Sequence, residues 1–170
     1  NGKSCVLVPQ SDNVYHERQS RRQISSCTAS SWQSTSSACT KAFDGLTDTE
    51  WAISGQGVGS WIRLDFAAKV SINMMKFANR AGQVSRNKVV RLEFSDSSDD
   101  DETVTLKDDH YLHAFTLQKL HWTTFVKIGV VSAYRTIDNG AAEIEFWGED
   151  TQLMWPGVLS IAEAQLISKR

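Results

Sequence analysis

The sequence predicts an all-β protein, an antiparallel sandwich or barrel. Apolar and polar residues alternate strictly over several short runs, the period of a strand with one buried face. Turn-forming clusters separate these runs at short, fairly regular spacing. No convincing long helix lies between them, and strands recurring without helices argue for packed antiparallel sheets.

The elements follow in order. Residues 5–8 read as a short strand that Pro9 stops. Residues 11–23 are polar, with Arg18, Arg21 and Arg22 close together. They read as a solvated linker, the alternative being a processing site or anion contact at Arg21-Arg22. Residues 25–31 form a weak polar strand. Residues 60–66 alternate with Ile62, Leu64 and Phe66 on one side. Residues 70–78, 88–95, 103–106, 114–117, 124–132 and 141–148 are the further strands. Residues 54–59, 79–87, 96–102 and Asp138-Asn139-Gly140 are the turns between them. After Trp155-Pro156-Gly157, residues 160–169 have roughly helical spacing, for a short terminal helix or an unstructured end. This divides the chain into an N-terminal extension (1–23), a β-sandwich (24–150) and a C-terminal tail (151–170).

Composition bounds the function. The 170 residues suit one domain, with 41% hydrophobic and 22% charged residues. A net charge of -2 and a pI of 6.1 argue against a general electrostatic grip on nucleic acid. No apolar run approaches a transmembrane span. No signal-peptide pattern is visible, and Asn1 in place of Met suggests a processed chain.

The stretch from Lys41 to Trp51 organises the chain. Asp44-Gly45 is a strong turn dipeptide, and Gly takes the positive φ such a turn often needs. Asp44, Asp48 and Thr49 crowd oxygen atoms into one loop, the ligand type hard cations prefer. Ala42, Phe43 and Trp51 are apolar and pin its ends. The alternative is a well-anchored polar turn that needs no metal.

Cys27 and Cys39 flank a Ser/Thr-rich loop, and a disulfide closing it would fit an oxidising compartment. Cys5 is then left over. Three free thiols in a reducing compartment are the alternative. No Cys/His spacing resembles a zinc site.

Several landmarks run in order along the chain: Ala42-Phe43-Asp44-Gly45 with Thr49 and Trp51, then Trp61-Ile62-x-Leu64-Asp65-Phe66, Asn79-Arg80, Val90-x-Leu92-x-Phe94-Ser95, Phe125-Val126-Lys127-Ile128 and Ala142-Glu143-Ile144-Glu145-Phe146-Trp147-Gly148. In that order they resemble the signature, strands and closing strand of the discoidin family, the coagulation factor V and VIII type C domains and their carbohydrate-binding relatives. The resemblance covers residues 27–148. It implies a discoidin-like jelly-roll sandwich, five strands on three. It implies a secreted or cell-surface, non-catalytic module that binds glycans, phospholipid head groups or proteins through loops at one end. It also implies a structural calcium, held by the carbonyls of Lys41 and Leu46, the Asp44 side chain, Thr49, Ala142 and Glu143. Calcium accepts such a mixture of carbonyls and carboxylates. No cysteine follows Cys39, so the family's end-joining disulfide is absent. The fucose-binding members' histidine has no counterpart near residues 54–59.

The ligand candidates are Arg80 and Arg86, whose guanidinium groups offer several fixed donors, and Trp32, which could stack on a sugar face. The loops of His110 and His113, and the acidic run from Asp99 to Glu102, are weaker candidates, the latter read as a solvated hairpin tip. No activated nucleophile or acid/base pair stands out. The expected function is a secreted glycan- or glycoprotein-binding module, with no nucleic-acid partner. The alternative is an extracellular protein-adhesion module using the same loops on a protein receptor.

Overall fold

The computed structural model describes residues 19–82, 85–96, 101–135 and 138–149. Cys5, the strand expected at residues 5–8 and the tail segment 160–169 lie outside the described residues. Among the described residues nine strands form: β1 (Gln19–Arg22), β2 (Ile24–Ala29), β3 (Trp51–Ala52), β4 (Trp61–Ala78), β5 (Asn87–Phe94), β6 (Glu102–Thr105), β7 (His113–Ala133), β8 (Gly140–Ala141) and β9 (Glu143–Glu149). Two single-turn 3-10 helices, Thr35–Ser37 and Cys39–Ala42, lie between β2 and β3.

Two strands are much longer than the alternation suggested. β4 has 18 residues and β7 has 21. The sequence reading split each of them in two. Ala67-Ala68-Lys69 and residues 118–123 contain no Gly or Pro, so the backbone remains extended while the register shifts. The shifts fall between Asp65 and Val70 and between Ile72 and Met74 of β4.

Those shifts let β4 and β7 serve both layers of an all-β, jelly-roll sandwich. In one layer the order is β2, the first half of β4, the second half of β7, β5 and β6. In the other it is β1, β9, the second half of β4 and the first half of β7. All pairings are antiparallel. The second layer has four segments rather than the expected three, because residues 19–22, assigned to the extension, pair with the open edge of β9. Between the layers, Ile62, Leu64, Phe66, Leu92 and Ile128 meet Met75, Phe77, Ile144 and Phe146 in one buried cluster. The Phe66 and Phe146 rings touch edge to face, with centroids 5.9 Å apart, a favoured aromatic geometry.

Glu102 departs from the expected hairpin tip. It is 6% exposed, and its carboxylate accepts the N–H groups of Gln118 and Lys119 and a ring nitrogen contact from His121 at 2.7 Å. The Phe94 ring stacks on His121. This buried acid thereby satisfies amides that the β7 register shift takes out of the ladder. No described helix is long and apolar enough to cross a membrane.

Candidate functional site

The register gathers one set of loops at one end of the sandwich. Trp61 pairs with Gly129, Asn87 with Ala133 and Val89 with Thr105 in the first layer. Phe77 pairs with His113, and Ala78 with Glu143, in the second. The described segments 30–50, 53–60, 79–82, 85–86, 106–112, 134–135 and 138–142 therefore share that end.

A buried amide network joins them. Asn79, Asn87 and Asn139 are 2%, 1% and 0% exposed. Asn79 Nδ2 donates to the carbonyls of Asn87 and Lys107, each at 3.0 Å. Asn87 donates its N–H to Asn79 Oδ1 and its Nδ2 to the Gly140 carbonyl. Asn139 Nδ2 donates to Asn87 Oδ1 at 2.6 Å. Gly140 is required because a Cβ there would lie 2.0 Å from the Trp51 carbonyl oxygen. In the sequence all three asparagines fall in turn segments, where asparagine is common, and Asn79 is also a family landmark.

Arg80 and Arg86 are woven into the same scaffold. Their side chains are 12% and 11% exposed. Arg80 donates to the Asp138 carbonyl at 2.5 Å and to Glu50 Oε1 at 2.6 Å. Its Nε finds no partner among the described residues. Arg86 donates to the Asp108 carbonyl at 2.8 Å and faces the Asp108 carboxylate at 3.4 Å. Both guanidinium groups brace one loop against another, with little surface left to meet a ligand. Glu50 and Asp138, which hold Arg80, and Asp108, which holds Arg86, do not stand out as site residues in the sequence.

Trp32 is different. It is 47% exposed, yet its loop is held on both sides. The Trp51 indole N–H donates to the Ser31 carbonyl at 3.0 Å, and the Gln33 N–H donates to the Ala52 carbonyl at 2.9 Å. Trp51 itself is 2% exposed. The disulfide Cys27–Cys39 closes the same loop, joining residues 12 apart in sequence. A rigid backbone therefore presents an open indole.

The Asp44 turn abuts the start of β9. Gly45 has φ +84°, the left-handed conformation that glycine accepts without strain. Thr49 Oγ1 lies 2.8 and 2.9 Å from the two Asp44 carboxylate oxygens and 3.4 Å from the Leu46 carbonyl. One hydroxyl proton serves three acceptors there. Leu46 N–H and Lys41 Nζ also donate to Asp44, each at 3.1 Å. Burial raises the Asp44 carboxyl, but the bonds from Thr49, Lys41 and Leu46 together hold it below its ordinary value. Glu143 reaches the turn from the last strand. Its Oε2 accepts the Gly45 N–H at 3.1 Å, and its Oε1 pairs with Arg21 at 2.8 Å. Arg21 also pairs with Glu145 at 3.1 Å. Burial dominates, and the Glu143 carboxyl is pushed up to about 7 despite Gly45 and Arg21. Ala142 is buried beside it. Among the described residues no three His, Cys, Asp or Glu side chains cluster as metal ligands. A cation here would therefore rely on hydroxyl and carbonyl oxygens beside Asp44 and Glu143, a donor mixture that fits calcium.

On the opposite edge, the 106–112 loop carries Tyr111, 64% exposed. His110 lies against its ring, with centroids 4.5 Å apart. Asp109 accepts the Tyr111 N–H at 3.0 Å and contacts the His113 ring at 2.7 Å.

The fold is the jelly-roll sandwich also seen in family 32 carbohydrate-binding modules and F5/8 type C domains. By sequence the chain belongs to the family described as a domain of unknown function, DUF7402, which matches residues 21–147. Three solved structures show the likeness of fold. The CBM32 module of AlyQ, in complex with 4,5-unsaturated mannuronic acid, superposes with a TM-score of 0.63 at 18% identity, over 75% of this chain and 97% of that one. The family 32 module of C. perfringens NanJ, in complex with galactose, gives 0.62 at 12% identity over 72% and 92%. An F5/8 type C domain from Bacteroides fragilis gives 0.62 at 12% identity over 73% and 91%. No curated protein matches the chain.

Proposed function

We propose that this chain is a secreted, non-catalytic module that binds glycan on the loop end of the sandwich, with Trp32 as the stacking surface. The observation that carries this is an indole nearly half exposed on a loop tied down by Trp51, Gln33 and a disulfide. A fixed aromatic face loses little conformational entropy on meeting a sugar ring. The carbohydrate-binding modules that share the fold support the same class of ligand, and the disulfide suits an oxidising compartment. Arg80 and Arg86 act by positioning the loops. A calcium ion at the Asp44 turn, held by Asp44, Thr49 and Glu143 with the carbonyls of Lys41, Leu46 and Ala142, would tie the turn to β9.

The test is a binding screen on immobilised alginate, chitosan, pectin and galactose-terminated glycans, with the parent and Trp32→Ala compared. The parent should bind at least one, and Trp32→Ala should lose most of that binding while melting at the parent's temperature. Equal binding by both proteins would remove Trp32 from the site.

A further inference from the structure

We infer that the loop end binds a run of linked sugars rather than one terminal residue, with Tyr111 as a second stacking platform. The inference rests on the glycan-binding reading above and extends it.

Tyr111 is more exposed than Trp32, and its loop is at least as firmly braced. Asp109 holds the Tyr111 N–H and the His113 ring. The Asp108 carbonyl holds Arg86, the Lys107 carbonyl holds Asn79, and the Leu106 carbonyl accepts the Tyr134 hydroxyl at 2.8 Å. Four successive residues are thus anchored, and the tyrosine they carry lies against the His110 ring while staying 64% exposed. A large ring kept in water on a rigid backbone gives the fold nothing, but it suits a ligand that arrives already extended.

Strand order sets the separation. Trp32 follows β2 and Tyr111 follows β6, the two edges of the five-segment layer. Four strand intervals lie between these edges, roughly 19 Å at the usual spacing. One monosaccharide cannot touch both platforms, whereas a chain of several linked rings can. Val58, 66% exposed, lies on the loop that leads into β4, the strand next to β2.

The experiment measures affinity by calorimetry for oligomannuronates, galacto-oligosaccharides and chito-oligosaccharides, from monomer to hexamer. The proteins are the parent, Trp32→Ala, Tyr111→Ala and Tyr111→Phe. In at least one series the parent's affinity should rise about ten-fold between dimer and hexamer, one decade of dissociation constant. Tyr111→Ala should bind the dimer as the parent does and lose the gain, and Tyr111→Phe should keep it. Trp32→Ala should weaken every length. An affinity that is flat beyond the dimer, or a Tyr111→Ala protein that keeps the hexamer gain, overturns the inference and leaves the glycan reading standing. No binding at any length in any series removes both.

Discussion

Glu143 is 2% exposed and meets one guanidinium, one amide and a neighbouring carboxylate. Its carboxyl sits at about 7 when folded, against an ordinary 4.5. The folded chain therefore holds this proton more tightly than the unfolded chain. That contribution to stability is complete below pH 4.5 and is lost as pH rises through about 7. In chelator, the parent's melting temperature should fall relative to Glu143→Gln across that window, because the neutral amide never has to ionise. Calcium favours the ionised carboxylate, so it should raise the parent's melting temperature most at the upper end of the window, as mass action on the folded state requires. Glu143→Gln and Asp44→Ala should lose that increment, whereas Glu93→Gln, on the outer face, should keep it. A parent that melts identically in calcium and chelator at every pH would end the calcium proposal. The turn itself was legible, since Asp-Gly chemistry is local. Arg21 as the partner of Glu143 was not, because the two are 122 residues apart. The partners of Arg80 escaped for the same reason, lying 30 and 58 residues away.

At the level of elements, the disulfide and its loop are the clearest case. Cys27 lies in β2 and Cys39 in a 3-10 turn against the core. Closing a loop of this length should contribute about 3 kcal/mol on the chain-entropy estimate. Cys27→Ser/Cys39→Ser should lose roughly that in chemical denaturation, with an unchanged dependence on denaturant. Loss of less than about 0.5 kcal/mol would mean that the Trp51 and Gln33 anchors alone hold the loop. The pairing was readable because both cysteines bracket one polar stretch. Strand cores were readable from Ile62, Leu64 and Phe66, or Val90, Leu92 and Phe94, whose period is set by the pleat. Strand ends were less so. Bulges in β4 and β7 look like breaks in the alternation, and only the partner strand shows that the backbone continues. Glu102 illustrates the limit: beside Asp101 it reads as surface, but the amides it satisfies lie 16 and 17 residues away.

Across the whole molecule, the all-β jelly roll was visible from alternation, turn spacing and family landmarks. The extra pairing of residues 19–22 was not, since a polar QSRR segment carries no apolar stripe. Side chains reinforce its ladder with β9. Arg22 donates to the Ser71 carbonyl and hydroxyl, each at 2.9 Å, and to the Glu149 carbonyl at 2.5 Å. Where the loops are concerned, the three buried asparagines make the sandwich end a single rigid platform, so binding there should involve little backbone rearrangement.

Because β4 and β7 each run through both layers, neither layer has a seam along which it could part from the other. Opening one half would strip the ladder from the continuation of the same strand in the other half. The slowest amide protons should therefore form one class, released only by complete unfolding, as the most protected units of a cooperative domain are. Hydrogen exchange followed by mass spectrometry should give Leu64 and Val126, in the first layer, the same opening free energy as Met75 and Phe115, in the second. Two separated values would show that the layers breathe apart and that the shared strands do not bind them into one cooperative unit.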